Sequence, residues 1–351
     1  MNAIRSITLG RCVTGALALG GAVGGLTLAL IAPAQAGNEE RIGTAGAQEL
    51  RLPVSARGLA LGDGFIADVT GVEALSYNPA GTADVAGVEI YFSNLAWIAD
   101  MDQNYFGAVA KTSWGVIGAS VNVLSIGDIE ETTEDRPEGT GRTFSPTFST
   151  IGLTYSRYLT DAISVGANAK VISEQILQTN ATGVAFDVGL RYRLSNKLRM
   201  ALVLKHFGPD MTFDGSDFES FHQTSDNPQA DPRSLSSISS AFDLPATFQI
   251  GAGYSLYDSG ENRVTGFGSF MSNTYSEDEY QFGGEYNYGQ TLALRAGIAA
   301  TGNEDYNFGP TFGLGFGMPL GSSSFLNVDY GHRVVKDFFD DNQLLSVKFT
   351  F

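Results

Sequence analysis

Cysteine is almost missing: Cys12 is the only one in 351 residues. It lies in a stretch that reads as a cleaved leader. The mature chain would then have no thiol for a disulfide, a thiolate metal site or a Cys nucleophile. Histidine is scarce as well. His206, His222 and His332 are the only three, and no two stand at helical metal-binding spacing. His222 has Ser220, Ser225 and Asp226 nearby, but adjacency in a Ser- and Asp-rich loop does not fix the geometry of a catalytic triad. No catalysis, cofactor or metal is expected. Basic residues are outnumbered 38 to 21, for a net charge of -17. That excludes a nucleic-acid partner, because phosphate binding needs clustered Lys and Arg.

Long apolar runs are confined to the start. Arg5 and Arg11 precede an apolar stretch from Val13 to Ala32, which closes on Ala34-Gln35-Ala36. This is the layout of a cleaved signal peptide spanning 1–36, so the mature chain would begin near Gly37. Arg11 before Cys12 excludes a lipoprotein site. Beyond residue 36 no apolar run is long enough for a spanning helix. A membrane could then be crossed only by a closed barrel, in which every backbone N–H and C=O is paired within the sheet.

What the chain does have is glycine, 43 residues without a collagen-like period, together with 23 Phe and 14 Tyr. Dispersed glycine suits many strands around a crowded interior. From residue 88 onward the chain alternates in segments of strand length. Fourteen are expected: 88–97, 102–111, 114–126, 147–158, 162–174, 182–193, 197–207, 245–256, 263–274, 279–288, 291–301, 306–318, 323–331 and 342–351. In 162–174, Ile163, Val165, Ala167, Ala169 and Val171 oppose Ser164, Gly166, Asn168 and Lys170. In 245–256, Phe248, Ile250, Ala252, Tyr254 and Leu256 oppose Thr247, Gln249, Gly251, Gly253 and Ser255.

Alternation also occurs in soluble sandwiches, but two features point to a membrane barrel. Connections after even strands are short, and the long ones, 127–146, 208–244 and 332–341, all follow odd strands. This parity is expected of a barrel with short turns on one rim and loops on the other. Aromatics also gather near strand ends, as Trp97, Trp114, Tyr155, Tyr158, Tyr192, Phe207, Tyr254, Tyr257 and Phe351, which suits interfacial girdles. Strands 102–111 and 263–274 mix their faces, and Pro310 inside 306–318 demands a bulge or a later strand start. The last strand carries Phe349 and Phe351, read as the terminal signal for the barrel-assembly machinery. Gly313-Leu314-Gly315-Phe316-Gly317 lacks the Lys-Ser/Thr of a phosphate loop and reads as a strand with bare backbone toward the lumen.

Residues 37–87 lack barrel alternation. Their apolar pieces are too short to be independent helices and need a wall to pack on. Asn78-Pro79 reads as a helical cap and turn leading into the first strand. The string Arg57-Gly58-Leu59-Ala60-Leu61-Gly62-Asp63-Gly64-Phe65-Ile66-Ala67, followed by Glu73-Ala74-Leu75-Ser76-Tyr77-Asn78-Pro79-Ala80-Gly81, resembles the N-terminal signature of the PorV/PorQ outer-membrane family. That family falls within the group of barrels like the fatty-acid transporter FadL. Leu124 to Ile129 and Leu153 to Leu159 extend the likeness, which covers the chain from about residue 50 and is most specific over 55–83. The resemblance implies an all-β fold, a transmembrane antiparallel barrel of about fourteen strands (88–351) with an N-terminal hatch (37–87) in its lumen. It marks Arg57, Gly58, Gly62, Asp63, Asn78, Pro79 and Ala80 as signature positions.

Alternation directs Lys170, Asp187, Arg191, Arg193, Arg199, Lys205, Glu285, Arg295, Asp329 and Lys348 inward, since a lipid-facing Lys or Arg costs ~2–4 kcal/mol near mid-plane. They would either anchor the hatch by ion pairs or line a polar conduit. Acidic residues in 127–146 and 208–244 are read as solvated. The expected place is the outer membrane, with its lipid as one partner. Two functions compete: transport of a hydrophobic solute past a hatch that shifts, and an accessory role in type IX-like secretion with secreted proteins as partners. A soluble exported β-protein is the third reading, opposed by loop parity.

Overall fold

The computed structural model describes residues 41–222, 233–302, 306–321, 323–336 and 338–351. The stretch 1–36 expected to be a leader, and with it Cys12, lies outside the described residues, as do Ser225 and Asp226. Fourteen long antiparallel strands make the barrel: β1 (Val88–Ala96), β2 (Asp102–Thr112), β3 (Gly115–Ser125), β4 (Thr147–Tyr158), β5 (Ile163–Ile176), β6 (Thr179–Arg193), β7 (Leu198–Phe207), β8 (Thr247–Asp258), β9 (Asn262–Asn273), β10 (Glu279–Tyr288), β11 (Leu292–Thr301), β12 (Phe308–Pro319), β13 (Phe325–Val335) and β14 (Asn342–Thr350). Each pairs with its sequence neighbours. The sheet closes where β1 pairs with β14, from Glu89 opposite Thr350 to Ala96 opposite Gln343. No edge is left unpaired, which is what hydrocarbon requires.

The outward positions are apolar. Leu153, Val171, Val188, Phe248, Phe282 and Phe316 are exposed, at 66% for Leu153 and 58% for Phe316. On the same strands the inward neighbours Thr154, Lys170, Asp187, Gln249 and Glu285 are buried. An apolar exterior on a closed sheet is the solvation pattern of an outer-membrane barrel, and the chain is one.

Several expectations need correction. β5 and β6 run further than alternation indicated and leave only Leu177-Gln178 between them, with Leu177 in the left-handed region at φ 52°. β13 continues to Val335, so Arg333 belongs to a strand and not to a loop. Trp97 and Tyr158 do not join an outer girdle: both continue the inward parity of their strands. Trp97 packs tilted against Phe308, centroids 5.4 Å apart, while the Tyr158 hydroxyl bonds Asp84. Trp114, stacked on Tyr155 at 5.2 Å, does face outward. Pro310 sits in a register shift between Phe308 and Thr311 where β12 meets β13, so the missing N–H is absorbed by a bulge. The mixed faces of β2 and β9 have a simple cause. Tyr105, Val109 and Phe267 point inward because an apolar plug, not water, meets them there.

The described parts of the 208–246 connection carry short ladders. Phe213–Gly215 pairs with the start of β6, and Glu219–His222 pairs with Arg233–Ser236. The connection 126–146 carries a two-residue ladder, Ile129–Glu130 with Thr143–Phe144.

Candidate functional site: a plugged lumen

The lumen is filled by the chain's own N-terminal segment. Leu59, Leu61, Phe65, Ile66, Val69, Val72 and Leu75 are all fully buried. Ser55 caps the short helix Ala56–Ala60 by accepting from the Gly58 N–H at 3.2 Å, and its hydroxyl donates to Glu73 at 2.8 Å. Gly58 leaves room for the Tyr77 ring. Gly62 takes φ +62° with its backbone against that of Ile298, a conformation and closeness that a Cβ would forbid. Asp63 follows in the left-handed region at φ 59°. Its carboxylate accepts from Arg333 at 2.8 Å and from the Tyr77 hydroxyl at 3.0 Å. Asn78 caps the 3-10 turn Pro79–Asp84: it accepts from the Ala80 N–H at 3.1 Å and donates to the Ile66 carbonyl at 3.1 Å, with Pro79 at the first helical position.

The barrel receives this segment through glycine sockets. Gly166 and Gly189 face each other across β5 and β6, and a Cβ on either would strike Pro79 or Asn78. Gly283 and Gly297, paired across β10 and β11, meet the backbone of Leu61 and Gly62. Gly313 and Gly331, paired across β12 and β13, meet Ala60 and Ala56. On β12 the glycines at 313, 315 and 317 alternate with exposed Phe312, Leu314, Phe316 and Met318, so this run is a barrel strand.

Ion pairs complete the anchorage. Arg57 grips Glu285 through Nε at 2.9 Å and Nη2 at 3.0 Å, and reaches Asp68 at 3.1 Å. Glu285 also accepts from Arg295 at 2.6 Å, and Arg295 donates to Asp329 at 2.5 Å. Lys348 lies 3.8 Å from Glu73, and Arg199 contacts Asp68. On the opposite wall Lys170 pairs with Asp187 at 2.6 Å, while its ammonium meets His206 Nδ1 at 3.2 Å. Arg191 donates to Asp84 at 2.6 Å; Arg193 is half exposed and donates to Tyr158 at 2.9 Å. Phe349 on β14, and Phe351 just past its end, are exposed. Sequence reasoning placed these barrel charges on the inner face but did not name their hatch partners Asp68, Glu73 and Asp84. It also missed Arg333, although Asp329, Gly331 and Arg333 continue one alternation.

The hatch divides the lumen. On the loop rim lies a cavity of about 480 Å³. Trp97, Phe308, Tyr306, Met271, Leu50 and Leu52 give it apolar and aromatic walls, and Tyr77 and Asp63 contribute from the hatch. Tyr306 stands edge-on to Phe308, centroids 5.5 Å apart. Lys205, His206 and Thr247 add polar groups. His206 Nε2 and Thr247 Oγ1 have no hydrogen-bond partner, and Lys205 is in no ion pair among the described residues. On the turn rim a second, more polar space of about 570 Å³ is bounded by Arg57, Glu73, Glu285, Arg295, Asp329 and Lys348.

Above the hatch, residues 41–53 form a strap over the loop-rim cavity. Arg41 donates to Asp243 at 3.0 Å and to the Tyr275 hydroxyl at 2.7 Å, and Arg51 pairs with Glu279 at 3.1 Å. Glu49 is buried with neither carboxyl oxygen partnered. Burial first, and then the charge of Glu174 on β5, pushes the Glu49 carboxyl up to about 8. Among the described residues no three His, Cys, Asp or Glu side chains converge as a metal site.

No protein-family model matches the chain, and no curated protein matches its sequence. Solved structures do match. The Pseudomonas putida toluene transporter TodX superposes with a TM-score of 0.57 at 13% identity, over 84% of this chain and 97% of that one. The Ralstonia pickettii toluene transporter TbuX gives 0.52 at 13% identity, over 85% and 98%. A Pseudomonas aeruginosa FadL homologue gives 0.51 at 12%, over 86% and 98%. Closed by fourteen antiparallel strands, the chain has the barrel fold of the FadL-like transporters.

Proposed function

We propose that this chain is a non-enzymatic channel that carries hydrophobic small molecules across the outer membrane. The observation that carries the reading is the aromatic-walled cavity of about 480 Å³, which opens on the loop rim and is floored by a hatch rather than by the barrel wall. Pockets of ~300–1,000 Å³ with apolar walls and a few polar groups suit small-molecule ligands. The floor is held by polar anchors, and these can exchange for water when the hatch moves. A solute would settle among Trp97, Tyr306 and Phe308, and displacement of the hatch would connect it to the polar space on the turn rim. Toluene is a suitable probe, since two of the proteins sharing the fold are described as toluene transporters. Labelled toluene uptake is expected to fall in cells deleted for this gene and to return with the wild-type copy. Equal uptake in all three strains would sink the proposal.

The signature at 55–83 supports a second reading, a barrel of the PorV/PorQ type that anchors or carries secreted proteins on loops 127–146 and 208–244. Purification from its own cells should then bring down exported proteins, and deletion of 208–244 should release them.

A further inference from the structure

A small polar cavity at the turn rim runs against the charge of the whole molecule. The chain carries -17 overall. Yet this cavity, about 260 Å³, is lined by three guanidinium groups and one carboxylate: Arg191, Arg193, Arg199 and Asp84, with Asn196. Arg191 and Arg193 end β6, Asn196 lies in the four-residue turn, and Arg199 begins β7, so the site stands at the mouth facing the periplasm.

The carboxylates in reach are already engaged. Asp84 accepts from Arg191 at 2.6 Å and from the Tyr158 hydroxyl, and lies 3.7 Å from Arg193. Asp68, the partner of Arg199, also binds Arg57. Arg191 is 5% exposed and also donates to the Val69 carbonyl and to the Tyr158 hydroxyl, each at 3.3 Å. Arg193 has one close contact, to Tyr158 at 2.9 Å, and is 47% exposed. A guanidinium carries five donors in a fixed fork. Three forks share Asp84 and part of Asp68, which leaves positive charge and N–H groups in excess around the space between them.

We infer that this cavity is an oxyanion-binding site, shaped for a phosphate group carried either by a free ion or by a lipid headgroup. Bidentate guanidinium–phosphate bonds supply the recognition. A neutral solute leaves the forks unpaired, and a cation is repelled. The site lies on the turn rim, apart from the loop-rim cavity, and does not rest on the transport reading. Because Asp84 ends the hatch and Arg191 also holds the Val69 carbonyl, a bound phosphate would tie the hatch to the β6–β7 corner.

The test is calorimetric titration of the full chain in detergent with inorganic phosphate, at constant ionic strength with chloride as balance. Saturable phosphate binding is expected, and Arg193→Met and Arg199→Met should each weaken it at least tenfold. Arg263→Met, whose side chain bounds the neighbouring polar space and not this cavity, should leave it within twofold. Heat-modifiable gel migration establishes that each variant is folded. A repeat in nanodiscs separates the sources. Loss of phosphate binding in phosphatidylglycerol but not in phosphatidylcholine discs marks the headgroup as occupant, and equal binding in both marks the free ion. Binding no tighter than that of chloride, or untouched by both pocket substitutions in folded protein, overturns the site. Toluene binding in the loop-rim cavity, which Arg193 does not line, should remain normal in the Arg193→Met protein, so failure here and failure of the transport reading are distinguishable.

Discussion

Replacing Arg57 with Met should loosen the hatch without harming the barrel. Arg57 makes three charge-assisted hydrogen bonds, two to Glu285 on β10 and one to Asp68 within the hatch. Hydrogen bonds to charged groups contribute about 1.5–3 kcal/mol each, and stripping one member from a buried pair costs about 3–5 kcal/mol. The lower end applies, since Glu285 keeps Arg295 at 2.6 Å and Asp68 keeps Arg199. A loss of about 3 kcal/mol raises the hatch-opening constant by roughly 150-fold, at about 1.4 kcal/mol per tenfold. Native-state hydrogen exchange reads this directly, because amide exchange follows the opening equilibrium of the local unit. The Leu59, Leu61 and Asp63 amides, which bond back to Ser55, Arg57 and Gly58, should exchange about two decades faster. Amides of β10 and β11 should be unchanged. Arg57→Lys keeps the charge but loses the fork, and should fall between. If hatch exchange in Arg57→Met stays within threefold of wild type, the ion-pair hub does not hold the hatch and the reasoning fails.

Gly297→Ala puts a methyl into the backbone of Leu61 and Gly62. It should cost about 1–3 kcal/mol of hatch docking by overpacking, seen as faster protease nicking, while Gly284→Ala, with open space around it, is neutral. The strap is pH-sensitive. Docking raises the Glu49 carboxyl from 4.5 to about 8, so the docked state holds a proton that the free strap gives up. Its stabilisation is full below about pH 4.5, falls as pH rises, and is lost above about 8, at ~1.36 kcal/mol per unit. A fluorophore on Thr44→Cys should report strap release at pH 9 and not at pH 6, and Glu49→Gln should abolish the change. Lys205 lies over the Tyr77 ring at 5.9 Å but is in no ion pair among the described residues, and a bare hydrocarbon in the loop-rim cavity supplies none, which burial penalises. Lys205→Met should therefore tighten toluene binding several-fold, measured by quenching of Trp97 in a Trp114→Phe background. Weaker binding would refute the assignment of that cavity.

Alternation from residue 88 onward was enough to read the barrel, because in lipid every second side chain must be apolar and the period is fixed by the strand. Parity of the loops also named the rims, since β1 starts and β14 ends on the rim of short turns. The faces failed only where the plug replaced water. Tyr105, Val109 and Phe267 look inward, and a period-two rule that assumes a wet lumen cannot place them. Trp97 and Tyr158 went astray likewise, since an aromatic at a strand end is girdle or lumen according to parity carried one residue further.

The sequence by itself determined that apolar side chains outside and polar ones inside would close a sheet in a membrane. Nothing local determined what the glycines were for. Gly166 with Gly189, Gly283 with Gly297, and Gly313 with Gly331 are 23, 14 and 18 residues apart by subtraction, and become partners only through strand register. Each pair clears the wall where one turn of the hatch rests. The ion pairs Arg57–Glu285 and Asp63–Arg333 span separations of 228 and 270 residues. Which carboxylate meets which guanidinium is decided by closure of the barrel around the segment, because Coulomb attraction has no sequence periodicity and acts only once the lumen brings the groups within a few ångströms.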